Sequence, residues 1–348
     1  MLVVLIHAMQ SAKDHLGSGY VLESGAAGVD IFFAISGFIM VVTTARSWGA
    51  PGAGASFMRR RLLRLVPLYW LATGMRLALL LALPGLVRHT RLNPWHTIAS
   101  FLFIPAWNFE HLPVPLLPVG WTLSYELLFY ILFATALMLS RHPIRWASGF
   151  LLVAVGIGYF QTPAWGAAPV ILNSLLIEFI FGMAIGYATL RGIRFSKSSA
   201  ALVFLVSFVA LLATDIARPS SPARFILWGI PAALILLSSV SVEEHVARPL
   251  AGLPNTLGDA SYAIYLFHVF AIEAMWVAFD KLHVTPHLGA TIAIVAGTLA
   301  SAIVGVAAHF YLEKPMMELI RSKIPARRVP PAAAVPQPEP LVMHAVHN

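Results

Sequence analysis

Seven ionisable side chains stand inside apolar runs of the sequence: His7, Asp30, Arg76, Glu126, Glu178, His268 and Glu273. An ionisable group in hydrocarbon is costly, so each of these is paired or functional. Together they offer acid–base chemistry. A neutral imidazole takes a proton from a hydroxyl or accepts an acyl group near neutral pH. A carboxylate beside it orients the ring and stabilises the imidazolium. Structural roles stand next to these. A histidine in an apolar helix also serves as a hydrogen-bonding strut. Asp30, in G-V-D-I-F-F-A-I-S-G-F, also fits a helix N-terminus, where a carboxylate satisfies free N–H groups. Arg76 and Glu178 also fit as members of internal ion pairs.

A second group is basic: F-M-R-R-R-L-L-R-L-V-P-L-Y, Phe57 to Tyr69. Arg61 and Arg64 are three apart and share a face if the stretch is helical. A guanidinium fork matches phosphate oxygens. The same arginines also fit as topology determinants that touch anionic lipid headgroups.

Other chemistries are excluded or unsupported. The chain has no cysteine, which removes disulfides, thiolate metal sites and a cysteinyl acyl-enzyme. There is no G-x-S-x-G elbow, and no histidine is followed five residues later by aspartate. His283 and His287 are four apart, but Pro286 and a loop setting argue against a helical ligand pair, so no metal is assigned.

The elements that must position these residues follow from composition. Of 348 residues, 59% are hydrophobic and 11% charged, with mean hydropathy +0.79. Soluble domains carry about 25% charged residues, so the fold class is all-α, a polytopic transmembrane helix bundle. The net charge of +8 does not point to nucleic acid, because the basic residues occupy short loops between apolar runs. A bilayer core of about 30 Å needs about 20 apolar residues as helix. Spans are expected at 27–45, 65–84, 120–139, 148–163, 170–190, 199–214, 224–242, 260–280 and 288–312. The run 97–107 is expected to be interfacial or re-entrant. Met1 to Met9 is too short to cross alone. It is read as the outer part of a first helix truncated at its N-terminus, giving about ten helices. No cleavable signal is expected, since no basic segment precedes this run.

With both termini cytoplasmic, sixteen Lys and Arg fall on the inside and six on the outside, with Arg76 within a span. The positive-inside rule favours that orientation. Residues 1–322 read as one membrane domain, and 323–348 as a Pro/Ala-rich disordered cytoplasmic tail. No internal repeat is visible. G-M-A-I-G, Gly182 to Gly186, reads as a helix-packing face. Rough depths along the spans place His7, Asp30, Glu126 and Glu273 in one layer of the outer half.

Several stretches, in order, resemble the membrane-bound acyltransferase-3 superfamily, over residues 1 to about 322. L-V-V-L-I-H resembles the end of the first-helix motif, which puts His7 at the catalytic histidine. G-V-D-I-F-F-A-I-S-G-F resembles the second-helix signature. R-R-L-L-R-L-V-P-L-Y matches the cytoplasmic RxxR stretch at Arg61 and Arg64. G-W-T-L-S-Y-E-L-L-F-Y puts Glu126 at the family's acid. L-G-D-A-S-Y-A-I-Y-L-F-H resembles the late signature and ends at His268, and F-Y-L-E-K-P follows the last helix. The T-L-S-Y-E form looks most like the exopolysaccharide-acetylating subgroup. One departure is plain: the family places an arginine eleven positions before the histidine, and counting back from His7 runs off the chain.

The resemblance implies an integral membrane O-acyltransferase of the bacterial inner membrane. It would move an acyl group, acetyl above all, from cytoplasmic acyl-CoA to a hydroxyl of a cell-surface or exported polysaccharide or its lipid-linked sugar precursor. Acyl-CoA, the glycan acceptor and membrane lipids are the expected partners. No permanently bound cofactor is expected, since acetyl-CoA is a substrate. His7, Glu126 and Asp30 are the expected catalytic residues, and Arg61 and Arg64 the expected CoA-binding pair. The rival class is a polytopic transporter or proton-coupled flippase that uses intramembrane His, Glu and Arg; such proteins often carry an inverted repeat.

Overall fold

The computed structural model describes residues 1–17, 19–82, 93–214, 221–246 and 252–323, and among these it is entirely helical, without strands. The tail reading of 324–348, and the charges at Arg88, Arg91, Arg218, Arg248, Arg327 and Arg328, lie outside the described residues. In chain order the helices are α1 (Leu2–Leu16), α2 (Ala27–Thr44), α3 (Ala53–Ala82), α4 (Pro94–Phe101), α5 (Trp121–Leu139), α6 (Pro143–Tyr159) and α7 (Leu176–Leu190). They continue as α8 (Lys197–Ala213), α9 (Ser221–Arg224), α10 (Ile230–Val246), α11 (Leu253–Asp259), α12 (Ser261–Lys281), α13 (Ala290–Ala308) and α14 (Lys314–Lys323). Among the described residues, seven helical segments are long and apolar enough to cross a membrane, and α6 and α8 are shorter apolar helices. Helix is the form this composition demands, because lipid offers no partner for a backbone N–H or C=O.

Several helices begin or end away from the expected limits: α6 runs five residues earlier at its start and four at its end, α7 begins six residues late, and α1 and α3 depart furthest. α1 continues past Met9 through Gln10–Leu16. It stops at Gly17, whose φ of 67° is left-handed and whose N–H bonds Lys13 O. The polar residues of its second half do not break a helix, so the end of the apolar run was not the end of the element. α3 starts at Ala53, twelve residues before the expected span, so the arginine cluster is helical. The span and the basic loop form one continuous rod.

Small residues set the helix contacts. A Cβ added at Gly37 would land on the Phe179 carbonyl, and one at Gly182 on the Ala34 carbonyl. α2 and α7 therefore touch backbone to backbone, and G-M-A-I-G is a packing face in this structure. Phe33, Phe129 and Phe179 fill the junction of α2, α5 and α7, with ring centroids 4.7 Å and 4.3 Å apart. α1 runs parallel to α12. Val4 packs with Ile264, Ala8 and Ala12 with Ile272 and Trp276, and His15 stacks on Trp276 at 4.3 Å.

The stretch after α3 folds back into the bundle. Tyr69, near the middle of α3, donates its hydroxyl to Ser100 O at 2.8 Å, and Ser100 Oγ accepts from Leu116 N at 2.8 Å. Trp70 Nε1 donates to Phe101 O at 2.8 Å. These bonds hold the segment that contains 97–107 against α3 and deliver the chain to the start of α5, where Gly120 lies against the Tyr69 ring.

Candidate active site

A cavity of about 390 Å³ lies between α2, α3, α5 and α12, with Met1–Val4 forming part of its wall. Ser36, Arg61, Arg64, Glu126, Tyr130 and Tyr265 supply polar lining, and residues such as Val29, Phe32, Ile35, Met40 and Leu65 supply apolar lining. It is the kind of concave, mostly apolar space with a few convergent polar groups that holds a small-molecule substrate.

Glu126 is buried on α5. Ser36 Oγ donates between its two oxygens, at 2.9 Å and 3.0 Å. Tyr130, one turn further along α5, also hydrogen-bonds it, and the charges of Arg61 and Arg64 bear on it. Arg61 Nη2 donates to Thr43 Oγ1 at 3.1 Å, and its guanidinium lies 5.6 Å from the Phe57 ring centroid. Arg64 is exposed and, among the described residues, makes no hydrogen bond or ion pair. A guanidinium has five N–H donors, so this pair retains ample capacity for an anion. The helical start of α3 puts both arginines on the cavity side. Sequence spacing proposed that shared face, and the helix now supplies it.

His7 stands one turn beyond the Val3 that lines the cavity. Its Nδ1 lies 2.7 Å from Val3 O. A carbonyl only accepts, so Nδ1 carries the proton, and in the neutral ring Nε2 keeps the lone pair. No hydrogen bond occupies that Nε2 among the described residues. The ring faces His268 of α12, with centroids 4.9 Å apart and His268 Nε2 3.3 Å from His7 Nδ1. Neither Glu126 nor Asp30 hydrogen-bonds His7.

Asp30 belongs to a different cluster. Arg224 grips it in bidentate fashion, Nε to Oδ1 at 3.1 Å and Nη2 to Oδ2 at 2.8 Å. Arg224 Nη2 also reaches Ala26 O at 3.3 Å, and its Cζ lies 4.8 Å from the Trp228 ring centroid. Glu178, fully buried in the first turn of α7, lies close to this pair, and neither of its carboxyl oxygens has a hydrogen-bond partner among the described residues. Arg224 counted among outside-loop charges in the sequence. It is instead the partner of a buried acid, and nothing in the sequence links residues 194 positions apart.

Asp30 and Ser36 are six residues apart on α2. That is about 9 Å along the axis and about 120° around it. Glu126, bonded to Ser36, therefore lies a full level away from Asp30 and on another face. The single layer expected for Asp30 and Glu126 is not what forms, because depth along separate spans says nothing about where neighbouring helices start. Arg76 does pair with an internal acid: Nη1 donates to both oxygens of Glu273 at 2.7 Å and 2.6 Å.

Ser36 and Tyr130 were absent from the sequence-derived site. Ser36 could have been found, since it stands in the quoted I-S-G-F. Tyr130 carried only the reading of an aromatic at the end of the L-L-F-Y stretch.

Apolar helices gather Ser36, Arg61, Arg64 and Glu126 around one cavity, with His7 one turn from its wall, and the comparisons with known proteins give the class: a multi-pass membrane acyltransferase. The model of the acyltransferase domain known as acyltransferase 3 matches residues 1–306, and the chain belongs to that family. The exopolysaccharide production protein ExoZ of Rhizobium meliloti (strain 1021) is 34% identical over 326 residues, covering 92% of this chain and 96% of ExoZ. Nodulation protein 10 of Rhizobium leguminosarum bv. viciae is 30% identical over 346 residues, covering 87% of this chain and 85% of that protein. No solved structure matches the chain.

Proposed function

We propose that the protein transfers an acyl group, acetyl above all, from cytoplasmic acyl-CoA to a hydroxyl of an exported or cell-surface polysaccharide or its lipid-linked sugar precursor. It would do so in the bacterial inner membrane with both termini cytoplasmic. The observation that carries the reading is His7: its Nδ1 proton faces Val3 O, its Nε2 accepts no hydrogen bond among the described residues, and it stands one turn along α1 from Val3, which lines the cavity together with the two arginines. Similarity to an exopolysaccharide production protein supports the acceptor class.

In this mechanism Arg61 and Arg64 hold the CoA phosphates, and the pantetheine arm lies in the cavity. Glu126, oriented by Ser36, accepts from the N–H groups of the arm and fixes the thioester. His7 Nε2 takes the proton of the acceptor hydroxyl as its oxygen attacks the thioester carbon. The carbon–sulfur bond then breaks, and the proton passes from Nε2 to the departing thiolate. Asp30 acts at a distance. It ties the start of α2 to Arg224, and Gly28 at that start packs directly on Leu2 and Val3 of α1.

The test is acetyl-CoA turnover by the purified protein in detergent against candidate glycans. His7→Ala is expected to lose at least 100-fold in kcat, the lower end of what a positioned base supplies, with unchanged thermal unfolding. Turnover at the wild-type rate in His7→Ala overturns the reading.

A further inference from the structure

We infer that His268 is the positioning residue for His7: it accepts the His7 Nδ1 proton and holds the imidazolium that forms during transfer. The inference rests on the reading of His7 as the base. It assigns to a neutral histidine the orienting role that the sequence gave to an acid.

The hydrogen-bond pattern fixes both rings. His268 Nδ1 lies 2.7 Å from Tyr265 O and 3.3 Å from Ile264 O. Both partners are carbonyls, so Nδ1 of His268 carries its proton and Nε2 is a lone-pair acceptor. That acceptor is 3.3 Å from His7 Nδ1, which also faces Val3 O at 2.7 Å. The His7 N–H is thus shared between a carbonyl and an imidazole nitrogen. When His7 Nε2 gains a proton, the ring's positive charge is met on its Nδ1 side by these two acceptors. No carboxylate is in hydrogen-bonding contact with either ring.

His268 suits the task by placement as well. It is fully buried, so it offers its lone pair without competition from water. Two backbone acceptors prevent its ring from flipping. Tyr265, whose carbonyl holds it, also lines the cavity, and the Tyr265 hydroxyl is anchored by Val119 O at 2.6 Å and Thr122 Oγ1 at 2.7 Å. α12 therefore carries a rigid strut from the cavity wall to the base.

The test uses the full chain in detergent and a pair of near-isosteric variants. A glutamine side-chain oxygen can occupy the place of Nε2, whereas asparagine reaches only the place of Nδ1. His268→Ala is expected to lower kcat about 10- to 100-fold, a part of the value of a positioned base, with KM for acetyl-CoA unchanged. His268→Gln is expected to recover most of that loss and His268→Asn little of it. Carbethoxylation of His7 by diethyl pyrocarbonate, followed by peptide mass, is expected to slow in the same order and needs no turnover. A purely structural His268, valued for its bond to Tyr265 O, gives the reverse order, with Asn restoring and Gln failing. That order, or equal carbethoxylation rates in all variants, overturns the inference. Full activity in His7→Ala instead overturns the proposed function, and the carbethoxylation series still reports on the pair.

Discussion

The partner of a buried polar residue decides its role. Asp30 makes two bonds to Arg224 and is fully buried. Removing one member of such a pair leaves the other charge stranded, which costs about 3–5 kcal/mol. Asp30→Ala is therefore expected to lower the thermal unfolding temperature in detergent markedly, and Arg224→Ala to do the same. A variant with normal stability and lost turnover would instead put Asp30 in the chemistry. Arg61 and Arg64 answer to a different measurement. Arg61→Ala with Arg64→Ala is expected to raise KM for acetyl-CoA about tenfold or more, since charge-assisted bonds are worth about 1.5–3 kcal/mol each, while unfolding stays unchanged. An unaltered KM would leave these arginines a topological role alone.

The helices matter as rods whose separation is set by what lacks a side chain. α2 and α7 meet at Gly37 and Gly182, where any Cβ would strike a carbonyl of the other helix. Gly37→Ala must push the two apart. Ser36, the preceding residue, would move with α2, and Ser36 hydrogen-bonds Glu126. The expected outcome is both a lower unfolding temperature and reduced turnover, whereas Gly149→Ala, with open space around it, is expected to change neither. Equal behaviour of the two variants would show that the α2–α7 contact is not tight in solution. The continuous helix through Phe57–Tyr69 has a matching consequence. It converts a basic segment into a face, so both arginines line the cavity.

At the scale of the molecule, the proposed function has the bundle separate a cytoplasmic donor from an outer acceptor, and orientation decides whether it can. The positive-inside rule predicts residue 198 inside and residue 161 outside. Both Ser198 and Gln161 are exposed, and the absence of cysteine makes single-cysteine labelling clean. In intact spheroplasts a membrane-impermeant maleimide is expected to label Gln161→Cys and spare Ser198→Cys. The opposite pattern would invert the bundle and place the arginine pair away from CoA.

The sequence by itself determined the helical bundle, most of its spans and the cavity's two arginines. These depend on local quantities: the length of an apolar run, the spacing of two guanidinium groups on one helix, the small residues in G-M-A-I-G. It also singled out seven ionisable groups within its spans, because hydrocarbon makes them conspicuous, but not the buried His309, which lies 2.7 Å from Glu313. What it did not contain was who meets whom. Asp30 finds Arg224 across 194 positions, and His7 finds His268 across 261. Those pairings depend on which helices neighbour each other and how far each is shifted along its axis. That shift is fixed by glycine contacts and ring packing between helices, so only the tertiary structure separates the acid that braces α2 from the histidine that faces His7.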